Sequence, residues 1–143
     1  MKATRKFGIL ITLMLLVAAC DTAYGPEYRA DGNPAKLMGK KWQWVGYTTL
    51  SGGYFTDVPA YSNFWISGDT ISGYDGCNAF YGKCKIDRSL LRADSVGSTR
   101  KLCGDQKSFL CQIQESTQYR QRDSMLVLVP ESGEMVHLFF RMQ

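Results

Sequence analysis

The sequence predicts a mainly β domain of the α+β class, a curled antiparallel sheet or open β-barrel with one helix packed against it. Three observations predict this fold. Short segments of alternating apolar and polar residues are separated by explicit turn signals. One segment alone has helical spacing. The 143 residues, 45% hydrophobic and 21% charged, leave room for one domain, which we place at residues 37–143.

The predicted strands follow from this alternation and from the turns between them. In residues 41–47, Trp42, Trp44 and Gly46 fall on one side of a strand. Gly68 marks a tight turn between the second and third segments. In chain order, the predicted strands are residues 41–47, 62–66, 70–72, 80–86, 90–93, 125–129 and 135–141.

One helix is predicted from Asp105 to about Tyr119. Asp105 can cap its start, and no Pro or Gly follows. Four side chains fall on one face of this helix, namely Phe109, Leu110, Ile113 and Thr117. The helix would pack on the sheet through that face.

The first 19 residues have the pattern of a secretory signal. Lys2, Arg5 and Lys6 precede a 13-residue uncharged run, residues 7–19, which is shorter than the roughly 20 residues of a membrane-spanning helix. The run ends Leu-Val-Ala-Ala before Cys20, which resembles a bacterial lipobox. That resemblance implies cleavage before Cys20, diacylation of its thiol with fatty acids such as palmitate, and stable anchoring by several chains. A plain secretory signal with an incidental cysteine is the alternative.

Residues 20–36 are predicted to be the lipidated N-terminus and a flexible tether, because Pro and Gly recur without a hydrophobic period. Removal of residues 1–19 takes away Lys2, Arg5 and Lys6. Of the 17 basic side chains, 14 then remain against 13 acidic ones. That balance argues against nucleic acid as a partner.

The segment Ile-Ser-Gly-Tyr-Asp-Gly-Cys-Asn-Ala-Phe-Tyr-Gly, residues 71–82, resembles the signature of the META domain, the HslJ-like heat-shock lipoprotein family. The family motif falls here on Gly73, Gly76, Cys77, Asn78, Gly82, Thr99 and Cys103. An opening Gly-x-x-Trp strand at residues 39–42 and a closing strand at 138–140 resemble further landmarks. The resemblance implies no catalytic residue. We interpret the motif as a structural bend, with a binding loop as the alternative.

The chain also departs from the family pattern. Only 22 residues separate Cys103 from Leu126, so we expect a shorter helix than usual, and the acidic helix start is missing. Cys84 and Cys111 stand where the common pattern has no thiols.

Four cysteines remain once Cys20 is set aside, and they allow three pairings. Zinc is disfavoured because no Cys-x-x-Cys occurs and the single His is remote. The family resemblance implies a disulfide between Cys77 and Cys103. A second pair, Cys84 with Cys111, would then follow. We expect no metal and no cofactor.

Candidate catalytic groups are isolated in the sequence. Ser98 and Lys101 match Ser-x-x-Lys, but the other motifs of β-lactamases are missing. His137 alternates with Met135 and Phe139 on a strand, without a nucleophile motif. We therefore expect no enzymatic activity.

The strands are rich in aromatic residues, which either fill a core or line a groove for sugar or lipid. The candidates are Trp42, Trp44, Phe64, Trp65, Phe80 and Tyr81.

The function we expect is that of a non-enzymatic binding or structural module on a lipid anchor. The chain would lie at the inner or outer membrane of a bacterial envelope with its domain in the periplasm, linked to stress tolerance. An envelope protein or peptide is the expected partner. A lysozyme-inhibitor-like enzyme inhibitor and a pilot or chaperone lipoprotein of secretion systems are the alternatives.

Overall fold

The computed structural model describes residues 33–115 and 117–143. The predicted signal peptide 1–19, the acylated Cys20 and the tether up to residue 32 lie outside these residues. A 3-10 turn, Pro34–Lys36, comes first. The elements that follow are β1 Lys41–Thr49, β2 Tyr54–Phe55, β3 Asn63–Ser67, β4 Thr70–Tyr74, β5 Ala79–Asp87, β6 Leu90–Ser98, α1 Leu110–Gln114, β7 Thr117–Arg122, β8 Met125–Pro130 and β9 Met135–Met142.

The sheet closes on itself. Neighbouring strands pair antiparallel from β3 to β9 in chain order, and β1 pairs with both β3 and β9. Eight strands therefore form a closed barrel, and β2 is an extra strand on β1. The fold is mainly β, as predicted, but the expected open barrel is wrong, because β9 covers the edge of β1 from Trp42 to Thr49.

The helix prediction is wrong in extent, since α1 has five residues and begins after Phe109. Asp105 does not cap it. The preceding segment is held instead by side-chain bonds of Lys107 and Ser108 to other loops. Thr117 joins β7, where it pairs with Leu91 and Pro130. Residues from Thr117 onward, predicted as the end of the helix, therefore form a strand instead.

A register shift in β1 changes which side Gly46 faces. Between Trp44 and Gly46 the pairing with β9 slips, so Tyr47 lies opposite the buried Leu138 and Gly46 lies opposite Phe139. The prediction that Gly46 shares the side of Trp42 and Trp44 is therefore wrong. Gly46 is buried because the Tyr54 ring covers the space that a Cβ would occupy.

The barrel has two ends of different construction. At the N-terminal end lie residues 33–40, where the described chain begins, and the short turns 68–69, 88–89 and 123–124. At the opposite end, called here the loop end, lie the connections 50–53, 56–62, 75–78, 99–109 and 131–134. Leu37 is fully buried and accepts a hydrogen bond of 3.1 Å from Trp42 Nε1, which ties the beginning of the domain to the barrel.

Candidate functional site

The interior of the barrel is filled by aromatic side chains. Phe109 has 0% exposure, and its ring contacts those of Trp44, Phe64, Phe80 and Phe140 at centroid distances of 5.5, 6.1, 5.9 and 5.3 Å. Three of these contacts are edge-on, the geometry that aromatic quadrupoles favour. Four of the predicted groove residues, Trp42, Trp44, Phe64 and Phe80, are thus core residues.

The other two aromatic candidates lie on the outer wall. Trp65 is 43% exposed and Tyr81 is 69% exposed. Both pair with Ser72 of β4, so one small residue separates them across three strands. The six aromatic residues therefore do not line one internal groove.

The loop end is clamped by the motif cysteines. Cys77 of the β4–β5 loop is bonded to Cys103 of the β6–α1 loop, with their Cα atoms 5.9 Å apart. The predicted pair is the one that the structure forms. The second predicted pair is wrong, since Cys84 and Cys111 are free. Cys84 faces the barrel interior, whereas Cys111 on the short α1 is exposed to solvent.

A buried carboxylate organises the motif turn. Asp75 is 5% exposed, and its Oδ1 accepts hydrogen bonds from the backbone N–H groups of Cys77 at 2.9 Å and Asn78 at 2.7 Å. Its Oδ2 accepts one of 2.7 Å from the Ser108 hydroxyl. This is an Asx-type turn, in which a side chain replaces a backbone acceptor. Asp75 is not among the site residues predicted from the sequence, although Asp-Gly before Cys-Asn is a turn signal.

Asn78 continues the network to the neighbouring loop. Its Oδ1 accepts hydrogen bonds from Thr99 Oγ1 at 2.9 Å and from the Lys101 backbone N–H at 2.8 Å. The motif residues Asn78, Thr99 and the cysteines therefore join the same two loops. This supports the interpretation of the motif as a structural bend.

The motif glycines allow the tight bend. Gly76 has a φ of +101°, which L side chains rarely adopt, and a Cβ there would collide with Pro59. Gly73 lies on the backbone of Asn63 and Phe64, so a Cβ has no space. Gly82 lies where β5 and β6 shift register, between Tyr81 and Lys83.

A second polar cluster fixes the loop after β2. Lys107 Nζ donates to Asp57 Oδ2 at 2.5 Å and lies 4.8 Å above the centre of the Tyr47 ring. Tyr47 donates its hydroxyl to Asp57 Oδ1 at 3.1 Å. The hydrogen bond from Lys107 lowers the pKa of Asp57, and the same bond raises the pKa of Lys107. No sequence pattern predicted this cluster, because its residues are distant in the chain.

We call residues 56–62, 75–78 and 99–109 together the clamped loops. Two large apolar side chains project from them: Tyr61 is 78% exposed, with a φ of 65°, and Leu102 is fully exposed. A left-handed conformation is strained for a bulky residue, and the Tyr61 carbonyl accepts a hydrogen bond from Asn63 that holds it. A shallow recess of about 250 Å³ beside them is lined by Asp57, Val58, Pro59, Asp105, Gln106 and Lys107.

The candidate catalytic residues are not assembled. Ser98 ends β6, and the loop residue Lys101 is held through its backbone by Asn78. His137 lies on β9, with Nδ1 3.0 Å from Thr48 Oγ1. Two strands, β7 and β8, separate β6 from β9. Burial, followed by the charge of Arg120, lowers the pKa of His137.

The described part of the chain has neither a candidate metal cluster nor a membrane-spanning helix. Within residues 33–115 and 117–143, no three His, Cys, Asp or Glu side chains come together as a metal site would require. In the same residues, no helix has the length and apolarity to cross a bilayer.

Comparison with known proteins supports this fold. The META domain profile matches residues 35–143. Among curated proteins, none matches the chain significantly. A protein from Burkholderia xenovorans solved by NMR is 20% identical, with a TM-score of 0.64 over 88% of this chain and 97% of that one. A second NMR structure is 19% identical, with a TM-score of 0.55 over 77% of this chain and 94% of that one. At these identities the two likenesses show the fold alone.

Proposed function

The chain belongs to the META domain family, and from this premise we propose that it is a non-enzymatic binding module, held at a bacterial envelope membrane by acylated Cys20. Its partner would be an envelope protein or peptide, contacted by the clamped loops. A role in stress tolerance follows as an expectation from the family resemblance.

The observation that carries the proposal is the contrast between the barrel interior and the loop end. The centre of the interior is occupied by Phe109 and its aromatic neighbours. The clamped loops instead present Tyr61 and Leu102 to solvent. Large apolar side chains on a rigid support are typical of contact sites, because little conformational entropy is lost on binding.

The same contrast favours one of the two alternative functions, an enzyme inhibitor, over the other, a pilot or chaperone lipoprotein. A pilot or chaperone lipoprotein that holds a peptide or lipid tail inside a cracked barrel needs an open interior. Here β1 and β9 are paired and Phe109 fills the centre. An enzyme inhibitor would use exposed loops, which the clamped loops could supply, so inhibition of an envelope enzyme stays the second candidate.

The anchor is tested by metabolic labelling with a clickable palmitate analogue. The wild-type chain is expected to take up the label, and the Cys20→Ala variant is not. Equal labelling of the two would contradict acylation at Cys20. This measurement does not depend on any partner.

The binding role is tested by contrast between two sets of variants under envelope stress. Ser98→Ala, Lys101→Ala and His137→Ala should leave the phenotype intact, because no contact in the described structure joins these three groups as nucleophile and base. Tyr61→Asp and Leu102→Asp should abolish it, with Gln118→Asp, at an exposed position of β7, as the matched control. Loss of function in His137→Ala at unchanged melting temperature would favour an enzyme.

A further inference from the structure

The charges of the barrel are divided between its two ends. Residues 33–143 contain 13 Lys and Arg side chains, and only three of them, Arg100, Lys101 and Lys107, lie at the loop end. The same residues contain ten Asp and Glu side chains. Six of these lie at the loop end, namely Asp57, Asp75, Asp105, Glu115, Glu131 and Glu134. The N-terminal end and the strand halves next to it therefore hold ten basic against four acidic groups.

The basic end is also the end at which the N-terminal segment joins the domain. Residues 21–32 separate Cys20 from Asn33, the first residue of the N-terminal end. Lys36, Lys40 and Lys41 come directly after this junction, and Arg88 and Arg122 lie in or beside two of the short turns. Positive charge thus faces the direction in which the proposed anchor lies.

A recess at the N-terminal end has a polar atom without a partner. Lys36, Lys40, Gln121 and Asp123 line this recess, which has a volume of about 250 Å³. Gln121 is 8% exposed, and its Oε1 makes no hydrogen bond with any of the described residues. A buried carbonyl oxygen requires a donor, because its desolvation is otherwise not compensated.

We propose that the N-terminal end docks on an anionic phospholipid surface and that the recess takes a glycerol-phosphate headgroup. The ammonium groups of Lys36 and Lys40 would bind the phosphate, and a glycerol hydroxyl would donate to Gln121 Oε1. Trp65, 43% exposed and paired with Lys41, lies on the wall next to this end, where an amphipathic ring suits a membrane interface. Anionic lipid attracts each nearby basic group, and salt screens the attraction.

This orientation depends on the proposed function in one respect, the attachment of the anchor at Cys20. In this orientation the acidic loop end would point away from the bilayer. The clamped loops would then be presented to a partner in the periplasm. A basic end turned toward the anchor lipid gives the domain one preferred orientation, whereas a uniformly charged barrel on a tether would have none.

The experiment reconstitutes the full chain in vesicles and measures which end lies near the headgroups. A thiol-reactive dye is placed at Ser124→Cys in the turn before β8, or at Thr56→Cys in the clamped loops, both in a Cys111→Ser background. Quenching by nitroxide-labelled headgroups reports proximity. The vesicles contain phosphatidylcholine alone, or with phosphatidylglycerol or phosphatidylethanolamine. Circular dichroism checks that each variant is folded.

We expect about twofold stronger quenching at position 124 than at 56 on phosphatidylglycerol vesicles, with the preference lost in high salt. Lys36→Gln with Lys40→Gln should remove it, and the matched pair Arg100→Gln with Lys101→Gln should keep it. Equal quenching at both positions would overturn the proposal. So would an unchanged preference without phosphatidylglycerol.

Two further outcomes separate this proposal from its rivals. If the preference appears only when the tether residues Asp21, Glu27 and Asp31 are neutralised, the tether covers the basic end and the proposal fails. A Cys20→Ala chain keeps residues 7–19, and we expect this apolar run to attach the protein to vesicles. The proposed orientation can therefore be confirmed when acylation of Cys20 is disproved, and it can be disproved when acylation is confirmed.

Discussion

Thr99 Oγ1 donates a hydrogen bond of 2.9 Å to Asn78 Oδ1, across 21 residues of sequence. The same oxygen accepts the backbone N–H of Lys101. Asn78 therefore holds the β6–α1 loop without a covalent bond, directly beside the Cys77–Cys103 disulfide. The two links together give the clamped loops a single arrangement.

Asn78→Ala should loosen the clamped loops and destabilise the domain by about 1–2 kcal/mol, because two donors lose their acceptor. Denaturant unfolding measures the loss, and amide hydrogen exchange should rise at residues 99–103. Asn78→Asp keeps the acceptor oxygen and should cost less. If Asn78→Ala unfolds at the wild-type midpoint, the bonds to Thr99 and Lys101 do not stabilise the loop.

Removal of the disulfide by Cys77→Ser with Cys103→Ser should cost about 3–4 kcal/mol, since the bond closes a loop across 26 residues. The measurement is denaturant unfolding of the oxidised variant beside the wild type. Cys111→Ser, which changes an exposed free thiol, is the matched control and should be neutral. A loss of unfolding free energy no larger than that of Cys111→Ser would show that the disulfide does not stabilise the domain.

The two free thiols should differ in reactivity. An alkylating reagent is expected to modify Cys111 quickly in the native, unreduced protein, because its side chain is exposed. Cys84 should react only on unfolding, since burial raises its pKa and excludes the reagent. Peptide mapping after brief labelling checks this. Recovery of a Cys84–Cys111 cross-linked peptide would refute the structural assignment.

Phe109→Ala should destabilise the domain by about 3–5 kcal/mol, because it empties the centre of the barrel. Leu110→Ala, one residue later and only partly buried, is the control and should cost less than half as much. Thermal and denaturant unfolding both report the difference. An equal effect of the two substitutions would mean that Phe109 is not the centre of the core.

Acid should weaken the Tyr47–Asp57–Lys107 cluster. Lys107 lowers the pKa of Asp57 from 3.8, so the ionised carboxylate stabilises the fold above that value. The contribution is lost as the pH falls through the lower, folded pKa. An NMR titration of the Asp57 carboxyl should show a midpoint below 3.8 that rises in Lys107→Gln. A midpoint that does not move in the variant would contradict the contact.

Local patterns in the sequence were sufficient for most of the barrel wall. The turn at Gly68 and the strands predicted at residues 80–86, 125–129 and 135–141 follow from neighbouring residues, and the structure confirms them. The bond between Cys77 and Cys103 was reached through the family resemblance. The anchor at Cys20 stays a prediction.

Tertiary structure decided the features that depend on distant residues. The helix ends at Gln114 because Thr117 finds strand partners in β6 and β8, and no local propensity reports that competition. Barrel closure needs β1 and β9, which lie at opposite ends of the domain sequence. Cys84 has no disulfide because its strand turns it into the core. The free energy of the whole packed barrel decides each of these outcomes, so residue spacing along the chain could not predict them.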